Sequence, residues 1–155
     1  MVPLYLDDCL IAKQLARQLR AAGHLVYVTS DLGVEGQDEL HLEAAVRLGA
    51  VLASQNRRHF EPLHHRWQAE GRRHCGILVT HRRRIGLRIQ WLERAARLLT
   101  PETADNQLME LAMFATEEGA SRLPPASCRR SMVWGAPVCT PAQVRALNSK
   151  TCSVS

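Results

Sequence analysis

The chain has 155 residues, of which 46% are hydrophobic and 5% aromatic, so Leu, Val and Ala must build the core of a single domain. Lys and Arg outnumber Asp and Glu by 20 to 15, and the pI of about 9.3 favours a polyanionic partner such as nucleic acid. The N-terminus lacks a basic region followed by a long apolar stretch, and no run approaches the ~20 apolar residues of a membrane span, so a soluble cytoplasmic protein without signal peptide or membrane partner is expected. The five cysteines, at 9, 75, 128, 139 and 152, are odd in number and contain no Cys-x-x-Cys, which argues against a disulfide framework or a zinc site and for a reducing compartment.

Strand and helix signals alternate from the start. Val2 to Leu6 reads as a short buried strand ending in the carboxylate pair Asp7-Asp8. Leu10 to Ala22 has helical spacing at Ile11, Leu15 and Leu19, with Gly23 where a C-cap belongs. His24 to Thr29 is β-rich and predicts a second strand. Ser30 to Gly36 reads as a loop, and Asp38 to Leu48 as a helix stopped by Gly49. Ala50 to Ser54 predicts a third strand, Gln55 to Phe60 a polar turn, and Glu61 to Glu70 a helix closed by Gly71. Gly76 to Thr80 predicts a fourth strand and Ile85 to Leu99 an amphipathic helix. Thr100-Pro101-Glu102-Thr103 has the form of a cap with Pro at the first helical position, opening a helix to about Ala115. Residues 118–155 lose apolar periodicity and gather Pro, Ser and Thr; a disordered or loosely packed tail is expected there, its rival a partner-binding segment using Met132-Val133-Trp134.

Repeated strand-helix-strand units imply a parallel sheet covered by helices on both faces, with the carboxyl ends of its strands on one edge. That edge would gather Asp7 and Asp8, the helix start Asp38-Glu39, and Asn56 with Arg57, Arg58 and His59. Carboxylates beside an amide suit Mg²⁺ or Mn²⁺, which can polarise a phosphoryl group and activate water. Singly, each residue has a structural reading: Asp7 or Asp8 as a helix cap, Asp38 and Glu39 as first-turn acids, Asn56 as a turn cap. Their convergence is the functional argument.

Residues 2 to about 115 resemble the PIN-like domains, in particular the compact bacterial group. The resemblance is carried by Leu4-Tyr5-Leu6-Asp7-Asp8, Leu19-Arg20-Ala21-Ala22-Gly23-His24, Asp38-Glu39-Leu40, Val51 to Phe60, and Gly71 to Val79. The resemblance implies a PIN-like domain over residues 1–117: a three-layer α/β/α sandwich with a mainly parallel four-stranded sheet. It also implies a metal-dependent ribonuclease using Mg²⁺ or Mn²⁺, often the toxin of a toxin–antitoxin pair, with RNA and an antitoxin protein as partners. A homodimer is compatible with it. On this chain Asp7, Asp38 and Asn56 become the catalytic residues and Asp7, Asp8 and Asp38 the metal ligands. His59 stands where many relatives have Asp, a departure that removes a negative charge and suits phosphate contact or Mn²⁺.

Arg57-Arg58, His64-His65-Arg66, Arg72-Arg73 and His81-Arg82-Arg83-Arg84 make the middle of the chain basic. Arg57, Arg58, His59 and Arg82 are the expected substrate contacts, giving salt-sensitive RNA binding. Trp67 and Trp91 fall at core spacing, and His41 and His74 read as structural. The alternative function is a catalytically degenerate PIN-like module that binds RNA or a protein partner. A response-regulator-like or flavodoxin-like domain would also use an acidic first-strand end, but the only lysines are Lys13 and Lys150, neither after a late strand.

Overall fold

The computed structural model describes residues 1–8, 12–34, 36–81 and 83–116; the expectations for Arg82 and for residues 118–155 lie outside them. The elements run β1 (Leu4–Leu6), α1 (Ala12–Ala21), β2 (Val26–Val28), α2 (Thr29–Leu32), α3 (Asp38–Arg47), β3 (Val51–Ser54), α4 (Arg57–Ala69), β4 (Ile77–Val79), α5 (Ile85–Leu98), α6 (Pro101–Ala104) and β5 (Leu108–Glu110), then a 3-10 turn over Leu111–Ala115. The sheet has five strands in the order β2-β1-β3-β4-β5, every neighbouring pair parallel. The protein is therefore α/β with an all-parallel sheet. Among the described residues no helix is long and apolar enough to cross a membrane.

Side chains alternate across the strands, so the sheet supports two cores. Leu4, Leu6, Val26, Val28, Val51, Ala53 and Leu78 pack with Leu15 and Leu19 of α1 and Leu92, Ala95 and Ala96 of α5. Tyr5, Tyr27, Leu52, Ile77 and Val79 pack with Leu42, Ala44 and Ala45 of α3 and Phe60, Leu63 and Trp67 of α4. Both faces of every inner strand are thus apolar, which is why these strands read as continuous hydrophobic runs.

The sheet has five strands where four were expected. Residues after Asp105 form a turn and the three-residue β5, not a continuing helix to Ala115. Asn106, at φ 54°, turns the chain, its amide donates to the His74 carbonyl, and Ile77 N–H reaches Gln107 O at 2.8 Å. Three residues are too few to display a strand period, so the helical pattern of the flanking residues dominated the reading. The start of α4 also differs: it begins at Arg57, four residues before the expected Glu61. Pro62 lies inside it, and a proline there imitates a helix start because it lacks the N–H that helix starts leave unused. The expected loop after β2 contains the single helical turn α2, closed by Gly33 in the left-handed region.

Two expected signals are in place. Gly23 at φ 87° ends α1, and His24 N–H donates to Leu19 O across it, the closing bond of a Schellman turn. Thr100 accepts from Thr103 N–H in a capping box that opens α6 behind Pro101. Gly76 is required on both counts that matter: φ is 110°, and a Cβ there would stand 2.8 Å from the Ala104 carbonyl oxygen.

Candidate functional site

The chain leaves β1 outward to β2, then crosses back to β3 on the other side of β1. In open parallel sheets the crevice outside the strand ends at such a reversal is where ligands bind. The residues at that crevice are Asp7, after β1, and Ser54-Gln55-Asn56, after β3. Asp7 continues the strand, its N–H donating to Ala53 O at 3.1 Å. By alternation it shares a face with Tyr5, as Ser54 does with Leu52, so both lie on the α3–α4 side.

Asp7 is 4% exposed. Ser54 Oγ donates to its Oδ2 at 2.7 Å and accepts from Asn56 N–H at 2.9 Å. Among the described residues no cationic side chain pairs with Asp7. A buried carboxylate held by one hydroxyl is electrostatically expensive, and the arrangement invites a cation. Beneath it, the Tyr5 phenol donates to His41 Nδ1 at 3.0 Å and is pushed up to about 12, by burial first and also by the charges of Asp7 and Asp8. Tyr5 is therefore a fixed neutral floor. Asp8 is exposed.

Asp38 opens α3, and His59 stands in the first turn of α4. His59 Nδ1 is 2.7 Å from Asp38 Oδ2 and 2.8 Å from Asn56 Nδ2. One nitrogen cannot donate to a carboxylate and accept from an amide at once. The tautomer decides which contact is a hydrogen bond: Nδ1–H donates to Asp38, and a bare Nδ1 accepts from the Asn56 amide. The His59 side chain is 62% exposed, so its other nitrogen faces solvent. Among the described residues no three or more His, Cys, Asp or Glu side chains converge as a metal-binding group.

The arginines divide into two sets. Arg57 is committed to Glu61 at 3.0 Å and to Glu110, the carboxylate ending β5. Arg66 and Arg72 both hold Glu39; Arg72 also reaches Glu43 at 2.7 Å and lies 3.8 Å over the Trp67 ring. Trp67 Nε1 donates to Glu39 at 3.1 Å, and these donors hold the Glu39 carboxyl below its ordinary range, Trp67 foremost. Arg73 is bound to Asp105. Trp67 lies in the core, as its spacing suggested, and Glu39 is a first-turn acid of α3. Arg58, Arg83 and Arg84 are exposed and make no ion pair among the described residues; Arg83 and Arg84 follow β4, whose parallel direction puts them on the carboxyl edge. Arg57, Arg66, Arg72 and Arg73 are thus held by acids, so the open basic surface is narrower than the sequence implied.

His64 and His74 form a second buried pair, Nδ1 to Nε2 at 2.7 Å. Gly76 N–H donates to His74 Nδ1 at 3.1 Å, so His74 carries its proton on Nε2 and gives it to His64. Burial, then the neighbouring His64 and Arg73, push His74 down to about 3.

Ser54 was expected at the edge as the end of the third strand but without a role, and Glu110 was not expected there. Ser54 was legible as the last residue of a strand parallel to β1, but its bond to Asp7 depends on register; Glu110 was hidden by the helical reading of its strand. Comparison with protein-family models, with curated proteins and with solved structures found no match.

Proposed function

We propose that this chain is a PIN-like domain, a three-layer α/β/α sandwich, acting as a metal-dependent ribonuclease on RNA phosphodiesters. The observation that carries the reading is Asp7: a buried carboxylate at the sheet's reversal point, with Ser54 as donor and no described cation as partner. The donor chemistry fits Mg²⁺ or Mn²⁺. Such ions take hard oxygens and need only one or two carboxylates, water and substrate filling the other positions, so a converged set of three side chains is not required. Asp7 would hold the ion, with Asp8 and Asp38 the further carboxylates of the same edge. When bound, the ion would polarise the phosphodiester and lower the pKa of a water.

The chain's own residues supply placement. Ser54 fixes the Asp7 carboxylate and, through Asn56 N–H, the turn into α4. His59 holds Asp38 at the rim, and Asn56 contacts the His59 ring. Arg58, Arg83 and Arg84 neutralise phosphates along the strand. The test is cleavage of single-stranded RNA with Mg²⁺ or Mn²⁺. Asp7→Asn is expected to lower the rate at least about 100-fold, as loss of a group acting on the reacting centre does. Equal rates in both proteins would overturn the assignment.

One observation favours a second reading. Asp38 is already partnered by His59, as a relic carboxylate in a catalytically degenerate, RNA- or protein-binding module would be. Calorimetric titration with Mn²⁺ separates the two readings, since only the ribonuclease binds the ion.

A further inference from the structure

A cleft of about 290 Å³ lies between α3 and α4, lined by Gln37, Asp38, Glu39, His59, Pro62, Leu63 and Arg66. It shares Asp38 and His59 with the candidate site, so whatever fills it adjoins the reacting phosphate. We infer that this cleft receives one unpaired adenine of the RNA substrate, read by Gln37; the inference rests on the proposed RNA substrate and deepens it.

The cleft sits at the small end of the ligand-pocket range, about 300–1,000 Å³, which suits a single ring system and no longer segment. Its aliphatic members, Pro62 and Leu63, offer a surface to a flat base. Arg66 is 52% exposed although it holds Glu39, so its guanidinium keeps a free face for stacking. The polar lining is mostly spent. Glu39 is held by Trp67, Arg66 and Arg72, and Asp38 by His59. Gln37 is different: it is the N-cap residue of α3 but its side chain makes no cap bond, and no described residue engages its amide. A free amide offers one donor and one acceptor side by side. That pair matches adenine N7 and its N6 amino group, the pairing through which Gln and Asn select adenine. Single-stranded RNA exposes that base edge, as a duplex does not.

The test is fluorescence anisotropy of the full chain with labelled single-stranded hexamers in EDTA, which removes cleavage from the measurement. Oligouridine carrying one central adenine is expected to bind about ten-fold more tightly than oligouridine alone. Gln37→Ala should bring the two affinities together. Gln37→Glu should move the preference to a central cytosine, whose amino group a carboxylate accepts. Gln37 is exposed at a helix end, so neither variant threatens the fold. Equal binding of both hexamers by the wild type, or an adenine preference that survives in Gln37→Ala, would overturn the inference. No binding to any hexamer would overturn it together with the RNA substrate. An intact adenine preference without metal-dependent cleavage would support it and overturn the ribonuclease reading alone.

Discussion

The carboxyl edge of the sheet and the flank where α3 meets α4 hold charge in opposite ways. On the flank, every acid has a base: Glu39 with Arg66 and Arg72, Glu43 with Arg72, and Trp67 beneath them. His64 and His74 beside it are buried and bonded to each other. At the edge, Asp7 is buried with a hydroxyl as its described donor, and Arg58, Arg83 and Arg84 stand without described acidic partners. Basic residues occur in both regions, so composition alone does not separate them. What separates them is compensation: charge cancelled inside the molecule builds the fold, and charge left open is available to a ligand.

The largest expected effect breaks that contrast at its centre. Asp7→Asn should remove cleavage while holding or raising thermal stability, because it neutralises an uncompensated buried charge; a loss of both would make Asp7 a structural acid. Next is the pH response of the flank. The folded state depresses the His74 pKa to about 3, below its unfolded value near 6.5. The stability this gives is fully present above about pH 6.5 and is lost as pH falls toward 3, as the unfolded chain binds protons the fold refuses. A thermal melt should therefore drop by about 10 °C between pH 7 and pH 4.5, and His74→Gln should flatten the curve. Glu39→Ala should come third, costing about 2 kcal/mol in a urea titration, since it strands Trp67 Nε1 and frees two guanidinium groups at once. The smallest effect is a gain. His24 is 5% exposed and neither ring nitrogen has a partner among the described residues. His24→Leu should raise stability by about 1 kcal/mol, read as a higher urea midpoint.

The fold was largely legible because strands buried on both faces announce themselves as runs: β1, β3 and β4 lie within the expected spans. Helix ends were legible where a single residue enforces them, as at Gly23 and Thr100. What escaped is what local pattern cannot hold. Strand β5 is too short for a period, and the start of α4 was masked by Pro62. At the site, Asp7, Asp38, Asn56 and His59 could be named from their places after strands and at helix starts. The pairing of Asp38 with His59, and the sealing of Arg57 by Glu110, could not, because each joins residues that only tertiary packing brings together.

The bond from Ser54 to Asp7 spans 47 residues of chain. It cannot form until the outward excursion through β2 has returned and β3 has docked beside β1, a non-local closure whose entropy must be met by strand pairing. During synthesis the acidic strand end emerges early, while the segment that will bury it is still being made. The carboxyl edge is thus completed only when most of the sheet exists, and a chain truncated before residue 54 would carry Asp7 without the hydroxyl that holds it.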